Sequence, residues 1–166
     1  MAFAVIDSSS LIFAFRVEEL LVLLKERYSK IVLPKAVFDE VIDAGKKLGK
    51  REVLKIEDEI FSGFLEVKNV KNPMHIEHLG EGELEVLSYA KTERLPCIMD
   101  DKKARQLCVS LKLKAIPISS FIIWGARNGH LSERQAQEIL NDLVKKGYRL
   151  RSDVYIQIID AIKSGT

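Results

Sequence analysis

A chain of 166 residues with 47% hydrophobic and 30% charged content has the size and balance of one globular domain built on a single core. Its 26 basic residues nearly cancel its 24 acidic ones, which excludes a polycationic coat and confines any nucleic-acid surface to a local patch. The two cysteines, Cys97 and Cys108, are too few for a disulfide framework, no apolar run reaches membrane-spanning length, and the N-terminus lacks a basic signal-peptide head, so a soluble, cytoplasmic protein is expected.

Phe3-Ala4-Val5-Ile6 is a short continuous apolar run suited to a buried parallel strand, and it ends at Asp7-Ser8-Ser9-Ser10. Asp7 is thus placed at a strand end, and the serines either cap the next helix or, as for Ser9, donate to a carboxylate. The helix that follows is expected to break near Arg16 and to resume over 17–27, where Leu20, Leu21, Leu23 and Leu24 recur at helical spacing. Ile31-Val32-Leu33 reads as a second strand, closed by Pro34. An amphipathic helix over about 35–47 follows, with Val37 and Val41 on its apolar side and Gly45 and Gly49 near its end. Glu40 lies on or beside that apolar stripe. Next come a helix over 52–61, a short strand over 64–67 and a loop over 68–78. His75 and His78 in that loop, with no cysteine or placed carboxylate, are a weak signal for zinc.

Leu79-Gly80-Glu81-Gly82-Glu83-Leu84-Glu85 opens a further helix, running through Ala90. Glu83 and Glu85 are about 200° apart around such a helix, so they cannot share a face, and Glu83 is favoured for a site. Pro96-Cys97-Ile98-Met99 then runs as a strand into Asp100 and Asp101, and a helical pattern (Ala104, Leu107, Cys108, Leu111) starts at once. Adjacent carboxylates about 4 Å apart repel by roughly 4 kcal/mol at an effective dielectric near 20, so something must offset that repulsion if both are ionised. Ala115-Ile116-Pro117-Ile118 is the last strand, with Pro117 arguing for an edge position. Ser119 and Ser120 are expected to cap a helix over 121–126. Ser132 with Gln135 forms a capping-box pattern for a helix to Lys146, and Ser152 and Asp153 start the last one. The alternation of strands and helices predicts an α/β fold, a three-layer α/β/α sandwich around a central parallel sheet, as one domain over 1–166.

Such a sheet can bring Asp7, Glu40, Glu83, Asp100 and Asp101 to one rim, because strand ends and helix starts share it. Converged carboxylates make a hard, oxygen-rich pocket suited to Mg²⁺ or Mn²⁺, ions that activate water and neutralise charge on a phosphodiester. A serine nucleophile is not supported, as no G-x-S-x-G elbow is present. A phosphoryl-transfer enzyme of haloacid-dehalogenase or receiver type also uses strand-end aspartates. However, Asp7-Ser8-Ser9 lacks the second acid of Asp-x-Asp, and no lysine follows Ile118.

Four segments carry a family resemblance: Val5-Ile6-Asp7-Ser8-Ser9, Val37-Phe38-Asp39-Glu40-Val41, the run from Leu79 to Glu85, and Ile98-Met99-Asp100-Asp101-Lys102-Lys103-Ala104-Arg105. With Ile116-Pro117-Ile118 and Lys146-Gly147-Tyr148-Arg149-Leu150, the chain resembles the PIN domain over nearly its whole length. It is most similar to the DUF3368 branch, related to the VapC toxins of prokaryotic toxin–antitoxin pairs. The resemblance implies metal-dependent ribonuclease activity through Asp7, Glu40, Glu83 and Asp101, with Asp100 beside the last. Glutamate replaces the usual aspartate at Glu83, whose spacing to Ala90 fits the family, and Glu85 is the alternative third acid. Met99 replaces a frequent threonine. Lys102, Lys103 and Arg105 either hold substrate phosphates or pair with the neighbouring aspartates.

The leading expectation is therefore a Mg²⁺- or Mn²⁺-dependent endoribonuclease, the toxin of a toxin–antitoxin pair, acting on RNA and bound by an antitoxin protein. The alternative is a PIN-like module that binds RNA or a protein partner but cleaves poorly. A homodimer is a further expectation. Its contacts would be the apolar stretches 17–24 and 121–124, unless these are ordinary core.

Overall fold

The computed structural model describes residues 2–48 and 50–165, side chains 44–50 excepted. Five short strands, β1 (Phe3–Ile6), β2 (Lys30–Pro34), β3 (Leu65–Lys68), β4 (Cys97–Ile98) and β5 (Ala115–Ile116), form one sheet in which every neighbouring pair is parallel. Their order is β3-β2-β1-β4-β5. Successive residues of a strand face opposite sides, and Ala4, Val5 and Ile6 are all fully buried, as are Ile31 and Leu33. Both faces of the sheet are therefore covered, as in an α/β/α sandwich. The covering helices among the described residues are α1 (Ser8–Arg16), α2 (Glu18–Arg27), α3 (Lys35–Leu48), α4 (Lys50–Phe61), α5 (Glu81–Glu93), α6 (Lys102–Ser110), α7 (Ser120–Arg127), α8 (Glu133–Lys145) and α9 (Ser152–Lys163).

Most element positions follow the sequence pattern closely. Val17 separates α1 from α2 with extended backbone (φ −116°, ψ 97°), which is the expected break. Pro117 lies just beyond β5, an edge strand, where its missing N–H leaves no ladder bond unmade. The capping box of α8 forms, with Gln135 N–H donating to Ser132 Oγ and Ser132 N–H to Gln135 Oε1. Ser119 departs from expectation. It precedes α7 but has helical backbone and makes no side-chain cap bond, and its hydroxyl lies 3.4 Å from that of Tyr148 instead. Gly49, read as marking the end of the third helix, lies outside the described residues.

The apolar stretches considered for a dimer contact belong largely to the core: Leu20, Leu23, Leu24, Phe121 and Ile122 are all buried. Helix α7 comes close to α2 at Gly125, where an added Cβ would sit 2.7 Å from Leu23 Cδ2 and 3.0 Å from Leu131 Cδ1. No helix among the described residues is long and apolar enough to cross a membrane. Gly125→Val is expected to destabilise the protein by about 1–3 kcal/mol through overpacking at this crossing, measured as a lowered urea midpoint with an unchanged slope.

Candidate active site

The order of strands reverses between β1 and β4, because the chain leaves β1 toward β2 on one side and returns from β3 to the other. The carboxyl ends of two such strands border a crevice. Asp7 and Asp100 lie in it. Asp7 follows β1 directly, and its N–H donates to Ile98 O at 3.0 Å, so it is locked beside the end of β4. Asp100 lies two residues beyond Ile98.

Asp7 is only 4% exposed. Its Oδ1 accepts the Ser10 N–H at 2.8 Å, capping α1, and the Ser9 hydroxyl lies 3.5 Å away. The Ser10 hydroxyl turns the other way and donates to Asp100 Oδ2 at 2.8 Å. One buried serine thus serves both acids, through its backbone to one and its side chain to the other. Asp100 Oδ1 accepts the Tyr148 hydroxyl at 2.5 Å and the Ile118 N–H at 3.2 Å. Tyr148 reaches it from the link between α8 and α9, and its ring meets Phe13 of α1 edge-on at 5.2 Å.

Burial pushes Asp7 up to about 6; the Ser10 bonds act against this, while the charge of Asp100 adds to it. Asp100 is raised as well, again by burial, with Tyr148, Ser10, the Ile118 N–H and the Arg105 charge acting against it. Tyr148 is pushed far up by burial and by the facing carboxylate, so it remains a donor.

The glutamates form a second group, tied to helix starts. Glu40 of α3 accepts the Gly82 N–H of α5 at 3.0 Å through Oε1, and Glu85 of α5 accepts the Ala36 N–H of α3 at 2.8 Å. Each helix thereby satisfies one open donor at the start of the other, where a negative charge also favours the dipole. A Cβ at Gly82 would lie 2.6 Å from Glu40 Oε1 and 2.7 Å from its Oε2, so only glycine admits this approach. Glu83 turns back to its own N-cap, accepting the Gly80 N–H at 3.1 Å.

Of the predicted acids, then, Asp7 and Asp100 are brought together through Ser10. Asp101 is exposed and caps α6, accepting the Ala104 N–H at 2.8 Å, while Glu40, Glu83 and Glu85 are engaged with backbone N–H groups. No group of three or more His, Cys, Asp or Glu able to hold a metal forms among the described residues. Lys102 and Lys103 are exposed in the first turn of α6, whereas Arg105 is half-buried, with Nε enclosed and without a hydrogen-bond partner. Ser10 and Tyr148 were not singled out from sequence, whereas the glycines at the start of α5 were read as allowing a close approach, and Gly82 makes one to Glu40. Ser10 was hidden in a serine triplet, and the contact of Tyr148 with Asp100 spans 48 residues.

A raised carboxyl binds its proton more tightly in the folded state than in the unfolded one. Its stabilising contribution is present below pH of about 4 and is lost as pH rises through about 6, a change of roughly 3 kcal/mol for the shift at Asp7. Asn still caps a helix and carries no charge. Relative to the parent in EDTA, Asp7→Asn is therefore expected to gain stability progressively from about pH 4 to 7, read from urea unfolding at each pH. A difference that stays flat with pH would contradict this.

A family model described as DUF3368, PIN domain, matches residues 3–164. Among solved structures, the fold is similar to that of a PilT N-terminus domain protein from the hyperthermophilic archaeon Sulfolobus solfataricus P2. The two share 25% sequence identity at a TM-score of 0.51, over 72% of this chain and 89% of that one. A search of curated proteins finds no match. PIN domains are generally nucleases and generally use divalent metals. With a match that takes in all five strands and the carboxylate pair between β1 and β4, the chain belongs to the PIN domain family.

Proposed function

We propose that this protein is a Mg²⁺- or Mn²⁺-dependent endoribonuclease that hydrolyses RNA phosphodiester bonds at the crevice between β1 and β4. The observation that carries the reading is the pair of buried Asp7 and half-buried Asp100, two like-charged groups held side by side through Ser10. Burial raises both toward protonation, and a cation between them would reverse that tendency. The donor chemistry fits: Mg²⁺ takes one or two carboxylates, keeps several waters and completes its shell with substrate phosphate, so a three-acid cage is not required. Asp7 and Asp100 would hold the ion, with Asp101, Glu40 and Glu83 as the further acids of the rim. Such an ion supplies an activated water and neutralises charge developing on the phosphodiester.

The chain's own residues do the positioning. Ser10 and Tyr148 hold Asp100 in one rotamer, so its carboxylate does not need to be ordered when substrate arrives. Arg105 contributes a positive charge beside Asp100, and with Lys102 and Lys103 it would receive phosphate oxygens. Ser9 lies at the edge of hydrogen-bond reach of Asp7 and would contact substrate from the same side. The wider biological reading is a cytoplasmic toxin restrained by an antitoxin protein, with a second copy of the chain as a further partner. It rests on the family resemblance alone.

A second reading is favoured by one observation: Glu83 and Glu85 are both engaged with backbone N–H groups, Gly80 and Ala36, so the third acid has a structural task in either assignment. On this reading the protein binds RNA or a protein and cleaves weakly.

RNA cleavage in Mn²⁺ is expected for the parent, with none in EDTA and none for Asp7→Asn, mapped as new ends on a pool of structured RNAs. RNA binding that survives Asp7→Asn, with no cleavage by the parent under any metal, would favour the binding module. Gly82→Ala should displace the Glu40 carboxylate. The better helix propensity of alanine, about 1 kcal/mol, offsets a lost hydrogen bond of similar size, so stability should hold within about 1 kcal/mol. Cleavage should fall by roughly 10- to 100-fold, the loss seen when a supporting contact of a metal site is removed.

A further inference from the structure

At the rim opposite the acids, α5 returns to β4 and α6 returns to β5 by the same backbone device. Arg94 (φ 57°) and Lys112 (φ 59°) take left-handed backbone, and the leucine after each, Leu95 and Leu113, bonds back to Ala90 O and Cys108 O at 3.0 and 2.8 Å. Glycine is the usual residue in that position, since a side chain there is strained. Here two successive returns both carry a cation instead. Cys97 pairs with Ala115 in the sheet, three residues after Arg94 and Lys112 respectively, so the two cations hold matching positions in the returns to neighbouring strands.

With Lys91 and Lys114 they line a cavity of about 560 Å³ whose remaining wall is apolar and which has no acidic residue. None of the four forms an ion pair among the described residues, although many other lysines and arginines of this nearly neutral chain do. Glu93, the acid at the end of α5, lies within electrostatic range of Lys68 and Tyr89. The ends of α5 and α6 contribute about half a negative charge each, which offsets one of the four positive charges and leaves roughly three.

A second hollow, about 280 Å³, starts from the same Lys114 and follows Ala115, Ile116 and Pro117 along the edge strand, bordered by Arg27, Tyr28 and Trp124. The next residue, Ile118, donates its N–H to Asp100. Along β5, Lys114 of the basic cavity thus stands four residue steps, roughly 13 Å, from the residue that meets Asp100. Four cations spread over two neighbouring returns, with Arg27 further along β5, match the repeated phosphates of a nucleic-acid strand better than they match one small anion.

We propose that Lys91, Arg94, Lys112 and Lys114 form a phosphate-binding exosite for the RNA strand that extends from the acidic crevice along β5. The proposal rests on the reading of the protein as an RNA nuclease, and its test separates the two. A labelled single-stranded RNA of about a dozen nucleotides is titrated in EDTA, where binding is read without cleavage, at several salt concentrations. The variant carries Arg94→Gly and Lys112→Gly, substitutions that remove both charges while relieving the left-handed strain, so its melting temperature should be held or raised. Binding is expected to weaken at least about tenfold, and the salt slope to fall by about 1.4 for two lost phosphate contacts. A control carrying Arg134→Gln and Lys145→Gln, which removes two exposed charges elsewhere, should bind like the parent.

Unchanged binding and slope in the glycine variant would overturn the exosite. So would an equal loss in the control, failure of the parent to bind RNA, or preferential binding of phosphatidylglycerol vesicles over RNA through the same four residues. If the parent cleaves RNA in Mn²⁺ and the glycine variant binds as well as the parent does, the nuclease reading stands and the exosite falls. If the parent binds without cleaving and the glycine variant loses binding, the exosite stands and the nuclease reading falls.

Discussion

Two carboxylates held side by side, Asp7 buried and Asp100 half-buried, are the constraint on which the rest of this structure depends. Their repulsion, several kcal/mol at contact distance in a protein interior, would separate them if the strands left any freedom. The pairing of β1 with β4 removes that freedom, since the Asp7 N–H is itself a rung of the ladder to Ile98. The fold answers with hydrogen-bond donors: Ser10 to both acids, and Tyr148 and the Ile118 N–H to Asp100. These donors do not cancel the effect of burial, and both acids remain raised above the ordinary carboxylate range.

The same requirement organises the elements around the crevice. Tyr148 can reach Asp100 only if the link between α8 and α9 is held against α1, which its edge-on contact with Phe13 and the Arg16 and Lys146 contacts achieve. On the far side, α3 and α5 exchange glutamates at their N-termini, so that neither can slide without exposing an open N–H. Gly82 is the point where that exchange becomes possible, because no other residue leaves room for the Glu40 carboxylate. The glutamates Glu40 and Glu85 of this rim thus hold two helix starts in place.

Much of the fold was legible in the residues. The apolar runs of β1 and β2 read as parallel strands because both faces are buried, and that produces an unbroken hydrophobic run rather than an alternating one. The break at Val17, the edge position implied by Pro117 and the capping box at Ser132 were local signals with local causes. Asp7 and Asp100 were recognisable as strand-end acids for the same reason. Which acids meet was not legible: the capping preference of aspartate explains Asp101 equally well, and it is Asp101 that caps α6 in the open while Asp100 is drawn inward. Ser119 misled because serine before a helix usually caps it, whereas here the hydroxyl lies beside Tyr148.

What the sequence by itself determined was therefore the set of elements, the layered α/β architecture and the resemblance to one family, since hydrophobic period, turn residues and caps act over a few positions. What only the tertiary structure decided was the partnership of distant groups. Among these are Ser10 between two acids, Tyr148 on Asp100, the glutamate exchange of α3 and α5, and the cations of two neighbouring returns facing one cavity. Each depends on strand order and register, which bring together residues tens of positions apart. No local pattern encodes that distance, and the packing of the whole chain sets it.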